Sequence, residues 1–443
     1  MTRIPEKPPD EKELLATHYK EFMDLLQQYH NTGPEAGSIV VLVRKYNELE
    51  YIHWDDLRRK NLPVDPAIFW LLLKFLRSSQ FRTIRIGPES FGFAVLERFQ
   101  QALHLVDKSS PATFDGFMGM PPSETAKQQY LIDSLMEEAI ASSRLEGAAT
   151  TRDVAKKFLR EGKQPRTNGE RMIWNNYLTI TWLQEIRDKP LTPALIREIH
   201  EEITRGTLEE TADETEFRES NEILVKDRAD QTVVYHDPPD FNQIPPMIDD
   251  LCRFANDEET FVHPIVKAIV IHFLIGYIHP FNDGNGRMAR ALFYWFVLKH
   301  RYDLFEYLSI SRLFLDAPAQ YTRAYLFAET DGNDMTYFID FNLRTIGRAL
   351  DSLRKYIATK RQEEEASLRL VEELPGLSFR QAAILKEFIT HPFQPFTVAE
   401  IAGTYHVALQ TARHDLQTLE RLGRVRSMRD GKRQVFLYQQ RDQ

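Results

Sequence analysis

The twelve residues His279 to Arg290, HPFNDGNGRMAR, hold one histidine, one aspartate, an asparagine between two glycines, and two arginines. Gly284, Asn285 and Gly286 can take backbone conformations that aim several N–H groups at one point. They stand where a new helix would begin, with its partial positive charge. That makes an anion cradle. Arg287 and Arg290 are three apart on the first turns of that helix, so both guanidinium groups can reach one side and grip phosphate oxygens. Two such handles suggest a polyphosphate. Asp283, directly before the cradle, can hold Mg²⁺ against those phosphates, because a hard cation takes carboxylate, phosphate and water oxygens. His279, with an ordinary pKa of about 6.5, is largely neutral at pH 7, as a general base must be.

Each part also has a plainer reading. Gly-Asn-Gly can be a simple helix-to-helix turn, the arginines a solvated face, and His279 a satisfied core histidine. Base, metal ligand, cradle and clamp in that order favour the chemical reading over four coincidences. A zinc site built from His263, His272, His279 and Asp283 is disfavoured: the chain has no cysteine pair and no HExxH spacing, and the nearby arginines would repel a cation.

The elements that must position this cluster are helices. Apolar residues recur at helical spacing in ELLATHYKEFMDLLQQYH, PAIFWLLLKFLRSSQF, FAVLERFQQALHLV, YLIDSLMEEAIASSRLEG, IWNNYLTITWLQEI and LIREIHEEI. PIVKAIVIHFLIGYI before the motif and MARALFYWFVLKHR after it read the same way, so the motif joins two helices. The fold class expected is mainly α. One exception is QTVVYHDPPDF, whose β-branched and aromatic residues stop at Pro238 and Pro239, which cannot extend a ladder; a short hairpin or flap is expected there. Leu343, Ile346, Leu350, Leu353 and Ile357 share one face of a long helical connector that turns charged before Pro375 and Gly376.

The 443 residues call for two or three domains, and 42% hydrophobic content is enough to bury them. A net charge of −9 argues against a protein that coats nucleic acid or an anionic membrane with its whole surface. A single cysteine, Cys252, excludes intrachain disulfides; the first residues lack the order of a secretory signal, and no apolar run is long enough for a membrane span. A cytoplasmic location is expected.

His279, Phe281, Asp283, Gly284, Asn285, Gly286, Arg287 and Arg290 together resemble the signature of the Fic family: HxF, any residue, D or E, then GNGRxxR. Fic proteins are α-helical enzymes that mostly transfer AMP from ATP to a hydroxyl side chain of a target protein. The resemblance implies that His279 deprotonates the target hydroxyl, Phe281 anchors the motif loop and Asp283 binds Mg²⁺. It implies an anion hole at Gly284 to Gly286, with Arg287 and Arg290 on the β and γ phosphates. Doc-type kinases of the family carry a lysine at the position of Gly286, so the glycine favours nucleotidyl transfer. Thr232, Val233, Val234 and Tyr235 fall where Fic proteins carry the flap that aligns a target segment by β-augmentation; an ordinary edge hairpin is the alternative.

Upstream, SSRLEG places Glu146 at the end of a helical pattern with Gly147 as its C-cap. An acid there opposes the helix dipole and benefits from a cationic partner. Ser142 and Glu146, four apart, can point at the same neighbour. The segment also resembles the Fic inhibitory motif, S or T, three residues, E, then G or N, placed N-terminal to the core. In that class the glutamate pairs with the second motif arginine, here Arg290, and keeps the γ phosphate from seating.

The C-terminal stretch FTVAEIAGTYHVALQTARHDLQTLERLGRVRSMRDGKRQVFLY resembles a winged helix-turn-helix, with a helix from about Gln410 and two strands about Gly431. It is locally basic, with Arg413 and Arg433 as candidate DNA contacts, although such modules also dock proteins. The expected organisation is a helical N-terminal domain over 1–120, a Fic domain over 124–357 with its inhibitory helix at about 124–147, a connector over 358–376 and the winged helix over 377–443. The expected ligands and partners are ATP with Mg²⁺, a protein with an exposed Ser, Thr or Tyr hydroxyl, DNA, and a second copy of the chain. Two other readings use the same residues. One is a DNA-binding regulator with the Fic region as nucleotide sensor, and the other is removal of AMP from modified proteins with Glu146 orienting water.

Overall fold

The computed structural model describes residues 3–30, 36–108, 124–208, 216–227, 229–373, 376–405, 407–430 and 433–439. Among these the fold is mainly helical, with three small antiparallel sheets. Residues Met1–Asp351 form one compact unit and Ser352–Gln443 a second. No helix among the described residues is long and apolar enough to cross a membrane.

At the centre of the first unit is the helix Pro264–Ile278. Pro264 starts it at a position where a missing N–H costs nothing, and His263 accepts from the Ile265 amide. Its sequence is apolar all round, and twelve of its residues, from Ile265 to Ile278, are buried. It packs against Asn285–Lys299, in which thirteen of fifteen residues are buried. Around this pair lie Glu124–Leu145, Asn168–Ile186, Pro193–Thr204 and Ile244–Asn256.

The N-terminal stretch differs from an all-helical reading. ELLATHYKEF breaks at His18, giving helices Glu11–Thr17 and Tyr19–His30. Phe81–Ile86 and Glu89–Ala94 form an antiparallel hairpin, so the helix read from Phe93 begins only at Glu97. The reason is local: Gly87 takes φ 58 in the turn, and Phe91 and Phe93 bury their rings from the second strand. This stretch also shares buried polar groups with later parts of the same unit. The Tyr51 hydroxyl donates to Asp334 at 2.7 Å, Lys74 to Asp331 at 3.0 Å, and Arg77 to the Tyr337 hydroxyl at 3.0 Å. The expected boundary at residue 120 lies outside the described residues.

The expected flap is shorter than its sequence pattern. Val225–Lys226 pairs with Val234–His236, and Thr232 and Val233 lie in the turn. The Asp230 carboxylate accepts from both the amide and the hydroxyl of Thr232, and this local turn competes with strand pairing.

In the second unit, Phe379–Thr390, Val398–Thr404 and Leu409–Arg421 accompany a three-stranded sheet. Strand Arg433–Tyr438 lies between Phe396–Thr397 and Val425–Asp430. Phe388, Ile401, Leu416, Leu419 and Phe436 fill its core. Two capping boxes, Ser378 with Gln381 and Thr397 with Glu400, set two of the helix starts. Gly431 and Lys432 lie outside the described residues, as does the Arg433 side chain.

Candidate active site

The motif loop is the link between the two central helices. Pro280 disfavours a right-handed helical conformation for the residue before it, and His279 adopts φ 50, ψ 57, donating its amide to Ile275 as the helix ends. The next helix starts from Gly284 at φ 84, where a Cβ would lie 2.7 Å from Thr204 Cγ2. Between them, Asn285 clasps Phe281 at two points: its Oδ1 accepts from the Phe281 amide at 2.9 Å and its Nδ2 donates to the carbonyl at 2.7 Å. The Asn285 side chain is therefore spent on loop shape, and its contribution to an anion cradle is through the backbone.

Two residues with no signal in the motif hold this loop. His200 stacks on Phe281 at 3.6 Å and 3°, and its Nε2 lies 2.8 Å from the Asp283 carbonyl. A carbonyl only accepts, so that nitrogen carries the proton. Arg218 donates to the His279 carbonyl at 2.9 Å and, through its amide, to the Pro280 carbonyl at 2.8 Å.

His279 lies on a cleft of about 560 Å³ together with Glu146, Gly286 and Arg290. Its Nδ1 is 3.2 Å from the Gly276 carbonyl, which assigns the proton to Nδ1 and leaves the Nε2 lone pair to accept another. Burial pushes its pKa down to about 4; the Gly276 contact and Glu146 oppose that shift, while His236 and Arg218 add to it. The imidazole is neutral across the physiological range.

On the far side of the cleft, His236 ties the flap strand to the helix Pro318–Thr330. Its Nδ1 is 2.7 Å from Glu329 Oε2 and its Nε2 is 2.7 Å from the Tyr277 carbonyl. Two acceptors require two ring protons. Burial alone would lower its pKa, but the Glu329 carboxylate overrides that and raises it.

Ser142, Glu146 and Arg290 meet although 148 positions separate the serine from the arginine. Arg290 Nε donates to the Ser142 hydroxyl at 2.8 Å, and its Nη2 to the Ser142 carbonyl at 2.9 Å and Glu146 Oε1 at 2.8 Å. Arg290 is buried, so the carboxylate is the counter-ion of a desolvated cation. Glu146 follows the last residue of the helix Glu124–Leu145, with Gly147 at φ 98 behind it. A Cβ at Gly286 would stand 2.1 Å from Glu146 Oε1, so the carboxylate lies directly over the glycine.

Arg287 is placed differently from Arg290. It is buried, donates to the Ile203 carbonyl at 3.2 Å, and does not line the cleft. Its Nε has no hydrogen-bond partner among the described residues. Asp283 is exposed at the side chain, and its Oδ1 accepts from the Gly284 amide at 2.6 Å. Its Oδ2 lies 3.8 Å from Arg287 Nη2, and neither residue lines the cleft; one accessible carboxylate suits Mg²⁺, which binds few protein ligands and keeps water and phosphate. A histidine cage for zinc is not assembled. His263 caps its helix, His272 lies 2.8 Å from the Tyr321 hydroxyl, and His279 faces Gly276.

These shifts give a pH prediction. His279, at about 4, and His53, pushed by burial to about 3, are depressed from 6.5. The unfolded chain therefore binds more protons than the folded one below pH 6.5, and their stability contribution, present above 6.5, is lost as pH falls toward those values. His279 alone accounts for roughly 2 to 3 kcal/mol at pH 4.5. Urea midpoints should fall between pH 7 and pH 4.5, less steeply in His279→Gln. An unchanged slope in that variant contradicts a buried neutral imidazole.

Comparison with known proteins finds a family match for the part of the chain that holds the motif loop. Residues 190–297 match the Fic/DOC family, so the chain carries a Fic domain. A protein named Protein adenylyltransferase Fic from Aedes aegypti is 27% identical over 88 residues, covering 17% of this chain and 18% of that protein. Protein adenylyltransferase fic-1 from Caenorhabditis elegans is 46% identical over 44 residues, covering 10% and 9%. These matches span less than a fifth of either relative's length. A solved Fic-1 fragment from C. elegans has TM-score 0.51 at 16% identity, covering 79% of this chain and 94% of that one, a likeness of fold. Ser142 and Glu146 lie outside the matched family segment.

Proposed function

We propose that the chain is a protein adenylyltransferase, restrained by its own Glu146, that moves AMP from Mg·ATP to a Ser, Thr or Tyr hydroxyl of a target protein. The observation that carries this reading is the carboxylate of Glu146, bonded to Arg290 and lying over Gly286. The place where the motif's geometry would receive a terminal phosphate holds a tethered anion instead. With Glu146 withdrawn, the buried Arg290 needs another counter-ion, and the γ phosphate supplies one.

In the reaction the target oxygen bonds to the α phosphorus, the bond to the β phosphate oxygen breaks, and pyrophosphate leaves. The hydroxyl proton passes to His279 Nε2. Asp283 would hold Mg²⁺, which when bound would supply positive charge against the phosphates. The remainder is positioning: Asn285, His200 and Arg218 fix the loop, and the flap strand Val234–His236 is the segment that would align the target backbone. Gly286 supports nucleotidyl over phosphoryl transfer, because the kinase branch of the family carries a lysine at that position. The Glu146→Gly chain incubated with Mg·ATP and a cell lysate, followed by peptide mass spectrometry, should yield adenylyl increments on hydroxyl side chains. Phosphoryl increments on those side chains would reverse the assignment.

The second unit, read as a winged helix, is the proposed DNA-binding part. Gln410, Arg413, His414, Gln417 and Arg421 are exposed on one helix. The acids of that helix are engaged elsewhere: Asp415 is buried against Arg380, and Glu420 accepts from the Ser427 amide. Gel shifts with duplex DNA should show affinity falling steeply with salt, and Arg413→Ala should flatten the log-log slope by about 1. Absence of any shift at low salt would leave the unit as a protein-docking module.

A further inference from the structure

The helix Glu124–Leu145 presents Ser134, Glu138 and Ser142 at four-residue intervals, and Glu146 continues the row just past its end. All four meet polar groups of the domain. Ser134 donates to the Tyr307 carbonyl at 3.2 Å, while Ser142 and Glu146 hold Arg290. Glu138 gathers the most donors. It is 2% exposed, with the Tyr294 hydroxyl at 2.9 Å, the Ser309 hydroxyl at 3.2 Å, the Ser311 amide at 2.9 Å and the Ser311 hydroxyl all directed at its carboxylate. None of these groups belongs to the chemistry above.

Most of the other side chains this helix buries are apolar; at its edge Glu137 pairs with Arg152, Lys156 and Arg312 and Asp133 with Arg160, ion pairs between long side chains that can follow a small shift. Leu135 and Ala139 pack with Ile180, and Met136 and Ile140 with Phe158 and Ile173. Apolar packing is non-directional and tolerates a small slide or rotation at modest cost. A buried carboxylate with converging donors does not: a shift of one residue, about 1.5 Å of rise, strips it of partners it cannot replace with water. Buried polar groups set register in helical assemblies for this reason.

We infer that Glu138 is the register pin of the inhibitory helix, the positioning residue that keeps Glu146 on Arg290 and over Gly286. This rests on the inhibitory reading of Glu146 and names the part of the chain that enforces it. Without the pin, the helix stays packed through its apolar faces but samples registers in which Arg290 is open to a phosphate. A partner that pulled on this helix would have to break the Glu138 cluster first.

The test compares AMP transfer at saturating Mg·ATP in the full chain, Glu138→Ala, Glu146→Gly and the double variant. Glu138→Ala should raise transfer by roughly three- to a hundred-fold in the parent and change it less than about twofold when Glu146 is already glycine. Glu138→Gln, which keeps the shape and one acceptor oxygen, should activate less than alanine. Should Glu138→Ala fail to fold, Ser311→Ala, which removes one donor from the same carboxylate, should activate in the same Glu146-dependent way. If Glu146→Gly activates while neither Glu138→Ala nor Ser311→Ala does, or if Glu138→Ala lowers transfer by the same factor in both backgrounds, the pin is refuted and the inhibitory reading stands. If Glu146→Gly itself leaves transfer unchanged, the inhibitory reading fails and the pin with it.

Discussion

Glu146→Gly raises AMP transfer at saturating Mg·ATP by roughly ten- to a thousand-fold, the rate equivalent of removing one pairing interaction of about 1.4 to 4 kcal/mol. The expectation comes from the 2.8 Å contact between Glu146 and a buried arginine. While it persists, a γ phosphate meets a carboxylate instead of a cation, and its α phosphate cannot settle in line with the attacking oxygen. Deleting the carboxylate leaves Arg290 held by Ser142 alone among these partners, so the variant should be less stable without nucleotide and recover stability on binding Mg·ATP. Arg290 then becomes indispensable, and Glu146→Gly with Arg290→Ala should return to low activity. A folded Glu146→Gly chain that transfers AMP no faster than the parent removes Glu146 from the control of this site.

His279→Ala, made in the Glu146→Gly chain, should lose transfer by a factor of about 10² to 10⁴ while binding Mg·ATP with nearly unchanged affinity. The imidazole is the group on the cleft whose neutral nitrogen can take the hydroxyl proton, and it contributes no phosphate contact. Its backbone sits at φ 50, where alanine costs about 1 to 2 kcal/mol, so His279→Asn, better tolerated in that conformation, serves as the folding control. Both variants should be equally inactive. The pH profile of the active chain should be level from about pH 6 to 8, with its acid limb well below the 6.5 of a free imidazole, because burial holds His279 near 4. Calorimetric titration with Mg·ATP and a discontinuous label assay separate the two effects, and retained transfer in both variants excludes His279 as the base.

The parts of this site that a sequence reveals are those whose chemistry is local. Gly284 with a helix behind it, Arg290 on that helix, and Asp283 directly before the glycine follow from adjacent residues and backbone rules. An acid at a helix end in need of a cation marks Glu146 in the sequence, but the choice of Arg290 as its partner comes from the family resemblance and not from spacing. Arg287 departs from its expected place because spacing puts two arginines on neighbouring turns, but tertiary packing decided that one of them donates to Ile203 instead. His200, Arg218 and His236 gave no signal, since their roles arise from contacts to chain positions 41 to 93 residues away. Glu138 reads in sequence as one more acid on an amphipathic helix, and only the arrival of Tyr294, Ser309 and Ser311 gives it meaning. The hairpin over Phe81–Ala94 was obscured for a different reason: its second strand runs straight into a helical pattern, and apolar periodicity alone does not mark the junction.

The central claim is that this cleft transfers the adenylyl group of ATP and that Glu146 withholds it. The most direct measurement incubates the parent and Glu146→Gly chains with a cell lysate and Mg·ATP labelled either at the α or at the γ phosphate, and counts label bound to protein. The α label should appear on protein and increase at least about tenfold in Glu146→Gly, while γ label on protein stays at the level the lysate gives without the chain. Protein γ label that rises on adding the Glu146→Gly chain, or α label incorporated equally by the two chains, would overturn this assignment.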